Sequence, residues 1–327
     1  MLTYKVNPNT HQDYRSLLQK AVRRSDDTLV TKVVDQLYKV DDAAWLKRRT
    51  GVIIAEECWP LMAKWELPKK LEEQQAAIKD ILSQVALSKK FKDAAGLGSL
   101  AYALSEGDSS VLTGSDEDYY IKRIRDAIKD GKTYWKWAIS QCSNDPVTRL
   151  VTQAERAYRK AGWPWDKAFI QATAYLAIRD GIPKWRPVPN VKAKFPFWVA
   201  LDKHTPQGKM ALREVSKKTG VSWRQLNWVS FYCESGHVDN SIPSRWWDRE
   251  VEWRLSKVGL SFNMAKSMWT EARPEFIKAL RDEPARLEEI FGDSIPYNVG
   301  GNGQLCFIIL NPREKIRDNW QRHSIFG

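Results

Sequence analysis

The most regular pattern of apolar and polar positions lies between Asp145 and Lys209. In DPVTRLVTQAERAYRK, Leu150, Val151, Ala154, Ala157 and Tyr158 recur at helical spacing, with Arg149, Glu155, Arg156 and Arg159 off that face. Asp145 is expected to cap this helix, Pro146 to occupy its first turn and Gly162 to end it in a left-handed cap. A second helix opens at Trp163-Pro164. Ala168, Phe169, Ala172, Thr173, Tyr175, Leu176 and Ala177 make it apolar on nearly every side, the mark of a buried helix, and Asp180, Gly181 and Pro183 stop it.

The same periodicity predicts helices through most of the chain. Tyr14, Leu17, Leu18, Ala21 and Val22 form one face of a helix over 10–24, with Arg15, Lys20, Arg23 and Arg24 off it. Ser25-Asp26-Asp27 stops that helix and caps the next. A third runs from a cap at Asp41 or Asp42 to about Met62. Pro68 opens another helix, and Ala94–Leu104 reads as a short buried one whose glycines permit close packing. Ser105–Asp118 has loop composition, and helical patterns resume over 119–130 and 133–140. Beyond the central pair, helices are predicted over 206–219, with Thr205 as cap, and over 222–234, 244–258, 262–269 and 274–290. Leu305–Leu310, after a Gly-Asn turn, is strand-like. The expectation is an all-α protein, a multi-helix array with a short irregular or β-hairpin-like C-terminal tail. Its segments are 1–62, an added helical block over 63–144, a central and C-terminal helical domain over 145–293, and the tail 294–327.

No apolar run reaches the length a bilayer requires, and the N-terminus has no basic-then-apolar signal segment, which points to a cytoplasmic protein without a membrane partner. Cys58, Cys142, Cys233 and Cys306 form no CxxC pair, and no metal or cofactor motif stands out. The formal net charge of +12 draws the chain toward polyanions, unless it is simply a solvated surface. Sixteen tryptophans, several beside Lys or Arg, suit either stacking on bases or ordinary core packing with cations on their edges.

Candidate nucleic-acid contacts follow from the basic stretches. Pro183–Pro196 holds four prolines with Lys184, Arg186, Lys192 and Lys194 and no acid, an extended basic strap. Lys203 and Lys209 follow it. SKKTGVSWRQLNWVSFY has the outline of a helix-turn-helix, contributing Lys217, Lys218 and Arg224, although two ordinary packed helices fit as well. Lys47, Arg48 and Arg49 form a cluster suited to phosphate, to an acidic partner surface or to solvent. Glu56, Glu57, Asp248 and Glu250 are the acids a nuclease would use, but no PD-then-E-x-K arrangement accompanies them. Asp202 and His204 lack a nucleophile.

QATAYLAIRDGIP at Gln171–Pro183 resembles the buried helix that follows the ATPase core in the RarA/MgsA family of clamp-loader-like AAA+ proteins. SLLQKAVRRSDD at Ser16–Asp27 and WLKRRTGVIIAEECWPL at Trp45–Leu61 are similar to two further helices of that family. These are packing patterns, not catalytic signatures, and 63–144 separates them more widely than the family does. No G-x-x-x-x-G-K-[ST] loop is present. The resemblance therefore implies a collar-like, oligomer-forming helical part without its ATPase, associated with DNA in replication, recombination or a mobile-element process. The alternative is a protein–protein adaptor that partners a separate AAA+ ATPase or itself.

Overall fold

A computed structural model describes residues 11–190, 195–238 and 241–292. Every regular element among them is helical, joined only by isolated bridges such as Cys58 with Phe91. The lead-in 1–9, the strand-like run 305–310 and the whole tail 294–327 lie outside the described residues, as do Lys192, Lys194 and Cys306.

Among the described residues fourteen α-helices follow one another: α1 (Gln12–Arg23), α2 (Asp27–Lys39), α3 (Ala43–Glu57), α4 (Leu71–Ala86), α5 (Asp93–Ser105), α6 (Asp118–Lys129), α7 (Gly131–Ser140), α8 (Asp145–Lys160), α9 (Pro164–Arg179), α10 (Pro206–Thr219), α11 (Trp223–Ser230), α12 (Arg245–Ser256), α13 (Phe262–Ala279) and α14 (Glu283–Phe291). Short 3-10 turns occupy Trp59–Lys64, Ser109–Val111 and Phe197–Ala200, and a π-turn extends α11 through Phe231–Ser235.

Several local expectations hold. Ser25 takes a left-handed conformation and Asp26 accepts from the Leu29 N–H, so one short stretch ends α1 and caps α2. Thr205 caps α10 by accepting from the Gly208 N–H. Others are corrected. Asn144, not Asp145, caps α8, accepting from the Val147 N–H, and α8 ends at Ala161 in extended backbone, so Gly162 is no left-handed cap. Helix α3 stops at Glu57, where Cys58 leaves the helical region at φ −156° and ψ 67° and the Phe91 N–H takes the freed Glu57 carbonyl at 2.8 Å; a 3-10 turn covers the residues up to Lys64. Pro274 does not divide two helices: α13 runs through it.

Helix α5 is the member around which the others pack. Ala94 through Ala101 are all buried, and α5 lies against α6, α9 and α12. Its two glycines make this possible. A Cβ on Gly96 would strike the backbone of Trp246 and Trp247 in α12, and one on Gly98 would come within 2.7 Å of the Phe169 ring and 2.9 Å of its backbone in α9. The 63–144 stretch thus contributes the helix that α9 and α12 share. The apolar core runs without a break from Leu17 and Leu18 in α1 to Leu287 and Phe291 in α14.

Candidate nucleic-acid interface

Which cations are free to meet a polyanion depends first on which are spent inside. The interior holds a chain of ion pairs. Arg23 of α1 donates from Nε and Nη2 to Glu57 Oε1 at 2.8 and 2.5 Å, and from Nη2 to Glu56 Oε1 at 2.9 Å. Lys92 approaches Glu57 Oε2 at 3.1 Å with its ammonium 4.6 Å from the Trp247 ring centroid. Arg49 reaches Asp166 of α9 at 2.5 Å and Glu56 at 3.4 Å. Lys20 pairs with Asp202 at 2.7 Å, and His204 Nδ1 lies 3.0 Å from the same carboxylate. Lys90 Nζ donates to the carbonyls of Val85, Ala86 and Ser88 at 3.0, 2.8 and 2.6 Å, capping the end of α4. Lys20 and Arg23, expected off the apolar face of α1, are buried because these acids meet them there.

Three of the four carboxylates noted as nuclease candidates are absorbed in the same way, and the fourth, Asp248, is exposed on α12. Glu56 and Glu57 are paired as above, and Glu250 accepts from the Tyr232 hydroxyl at 2.5 Å and lies 3.5 Å from Arg254. Among the described residues no group of three His, Cys, Asp or Glu is placed to hold a metal ion.

Lys20, Arg23, Lys90 and Lys92 are the buried cations among the described residues, against Glu56, Glu57, Asp118, Asp166, Asp202 and Glu250. This interior has more acid than base. The excess of +12 in the sequence therefore lies outside that buried set.

The expected contacts that stay on the outside fall in three places. On α10, Lys209, Arg213 and Lys217 are spaced four residues apart and exposed, so they line one stripe about 12 Å long at 1.5 Å per residue. Arg224, exposed on α11, follows it, and Trp223 is 36% exposed with the Arg213 guanidinium 5.3 Å from its ring centroid. Lys218 is adjacent but pairs with Glu275 at 2.5 Å. Gly220, left-handed at φ 73°, and Ser222, which caps α11, make the tight connection between the two helices. The rest of the helix-turn-helix outline is not presented outward. Trp228 stacks on Tyr232 and receives the Lys203 ammonium 3.4 Å from its ring centroid and the Arg254 guanidinium at 4.6 Å. Gln225 donates to the Val258 carbonyl. Lys203, a candidate contact, is therefore turned onto the rings of Trp228 and Phe231, and burial pushes its pKa down to about 7.

The second place is the strap. Lys184 and Arg186 are exposed on either side of Trp185, whose indole N–H donates to the Ser88 hydroxyl and whose ring carries Lys64 5.2 Å from its centroid. Backbone bonds from Lys89 N–H to the Arg186 carbonyl and from Val188 N–H to the Leu87 carbonyl, both 2.9 Å, hold the strap extended beside the end of α4.

The third is a cleft between α3 and α8, with Lys47, Arg48, Arg156 and Lys160 among its lining residues. Arg49, their neighbour in sequence, points the other way into the Asp166 and Glu56 pairs. Arg213, Arg156, Lys160 and Lys64 were not among the expected contacts. The 209/213/217 spacing was visible in the sequence, whereas the meeting of α3 with α8 was not. Among family models, curated proteins and solved structures, none matches this chain.

Proposed function

We propose that this chain is a non-enzymatic, DNA-associated helical protein, built like the collar of the RarA/MgsA family and acting in replication, recombination or a mobile-element process. The observation that carries the reading is the α10–α11 face. Lys209, Lys217 and Arg224 there have no acidic partner among the described residues, and Trp223 stands beside them. Over the roughly 12 Å of that stripe a duplex presents about seven phosphates, enough to engage every cation on it. The absorption of Glu56, Glu57 and Glu250 into ion pairs favours a binding role over hydrolysis.

The test is fluorescence anisotropy with single-stranded, duplex and forked DNA across a salt series. The protein should bind with a steep salt dependence, and the K209Q/R213Q/K217Q/R224Q variant should lower the slope by about 0.9 for each duplex contact removed. Absence of binding at low salt overturns the proposal.

A further inference from the structure

The α3–α8 cleft differs from the other basic places in being concave and in having a closed, apolar end. Gly51 and Ala157 are buried at its base, where the helices come so close that a Cβ on Gly51 would lie 2.7 Å from the Ala157 Cβ. Trp65, only 6% exposed, forms one wall. The open side is cationic. Lys47 and Arg48 come from one turn of α3, and Arg156 and Lys160 lie one turn apart on α8.

The charges there are poorly balanced from within. Glu66 is the acid in the lining, and it pairs with Arg156 at 3.1 Å. Lys47, Arg48 and Lys160 have no acidic partner among the described residues, unlike Arg15, Arg23, Arg49 and Lys92, which are all paired. Like charges gathered on facing helices repel, and a concave low-dielectric wall raises the potential they create. Such a site is relieved by an anion, and its chemistry selects which. One carboxylate offsets a single charge and leaves a surplus. A phosphate monoester near neutral pH brings roughly two charges and three acceptor oxygens, matching guanidinium forks and ammonium donors. The concavity of the cleft suits a compact group better than a convex duplex backbone.

We infer that this cleft is a binding site for a phosphate monoester dianion, held by Lys47, Arg48, Arg156 and Lys160. The source is either the terminal phosphate of a nucleic-acid strand or a free phosphate. The inference does not rest on the nucleic-acid reading of the α10–α11 face.

Inorganic phosphate titrated into the full chain at fixed ionic strength, balanced with chloride, tests it without any nucleic acid. Phosphate should bind and raise the thermal midpoint of the wild type and of K217Q/R224Q alike. R48Q/K160Q, which changes two exposed side chains and whose fold is checked by circular dichroism, should bind phosphate about tenfold more weakly or worse, the size of one lost charge-assisted hydrogen bond. Affinity for a phosphate monoester such as phosphoserine should also rise between about pH 5.5 and 7.5 as that ligand takes its second charge near pH 6. No binding by the wild type, or equal binding by R48Q/K160Q, overturns the inference. Displacement of bound phosphate by a 5′-phosphorylated oligonucleotide and not by its 5′-hydroxyl counterpart assigns the site to a strand end. Displacement by neither, with phosphate binding intact, assigns it to a free phosphate compound.

Discussion

Arg23 on α1 and Glu57 at the end of α3 form a fully internal ion pair, their side chains 2% and 1% exposed and two guanidinium N–H groups converging on one carboxylate oxygen. A third guanidinium nitrogen donates to the Ser235 carbonyl at 2.5 Å, so the same arginine ties the first helix to the π-turn after α11. The charges are satisfied from several elements at once, which fixes how those elements assemble.

Removing either partner should therefore be costly. Arg23→Ala leaves Glu57 against Lys92 alone and strands the Ser235 carbonyl, and breaking a buried pair in this way costs about 3–5 kcal/mol. Urea denaturation should show that loss. A variant within 1 kcal/mol of wild type would mean the pair contributes little.

The acid limb of the stability profile follows from the same cluster. Burial alone would raise the Glu57 carboxyl, but Arg23 and Lys92 outweigh it and hold its pKa at about 2, against an ordinary 4.5. Burial likewise opposes the ionised form of Asp202, and His204 and Lys20 overcome it to hold the group well below the usual range. Both are depressed acids, so the stability they contribute is present above about pH 4.5 and is lost as pH falls toward 2. Midpoints of chemical denaturation across that window should fall steadily with pH.

The alkaline side has the opposite origin. Burial lowers the pKa of Lys20 and Lys92, and that of Lys90 to about 8. Between about 8 and the ordinary 10.5 the unfolded chain binds the extra proton at Lys90, so this group makes stability rise with pH there. Tyr134 and Tyr232, whose phenols burial pushes up, oppose it above 10, where the folded state keeps protons that the unfolded state loses. Lys90→Met should remove the Lys90 part of the rising limb. An unchanged limb in that variant would assign it to other groups.

The α5 glycines predict a contrast among glycine-to-alanine changes. Gly96→Ala and Gly98→Ala push a methyl into the backbone of α12 and α9 and should cost about 1–3 kcal/mol or more. Gly162→Ala, facing open space without a positive φ, should be neutral or stabilising by up to about 1 kcal/mol. Thermal midpoints of the three variants measure this directly.

Arg49 and Arg48, adjacent in sequence, should separate by phenotype. Arg49→Ala abandons Asp166 and Glu56 and should destabilise the fold while leaving the salt slope of DNA binding unchanged. Arg48→Ala should leave the denaturation midpoint within about 0.5 kcal/mol of wild type.

Helix identity was legible in the sequence because burying one apolar stripe imposes a 3.6-residue period wherever it occurs. The α8–α9 pair, the Thr205 and Asp26 caps, and the buried, glycine-bearing α5 were all readable for that reason. A cap differs: Asp145 is the expected residue, its neighbour Asn144 has a side chain equally able to accept, and only the backbone conformation chooses between them. Cation roles were the least legible. Lys47, Arg48 and Arg49 look alike in a row, as do Lys217 and Lys218, because sequence records a charge but not the acid opposite it. Tertiary structure supplied those acids: Asp166 for Arg49, Glu275 for Lys218, and Glu57 for Arg23 across 34 positions of chain. It also set Arg156 and Lys160 of α8 facing Lys47 and Arg48 of α3. Local periodicity thus determined which segments are helices and which faces they bury. Long-range packing alone decided which charges were neutralised inside and which were left exposed, because a charge is spent only where the fold delivers its counterion.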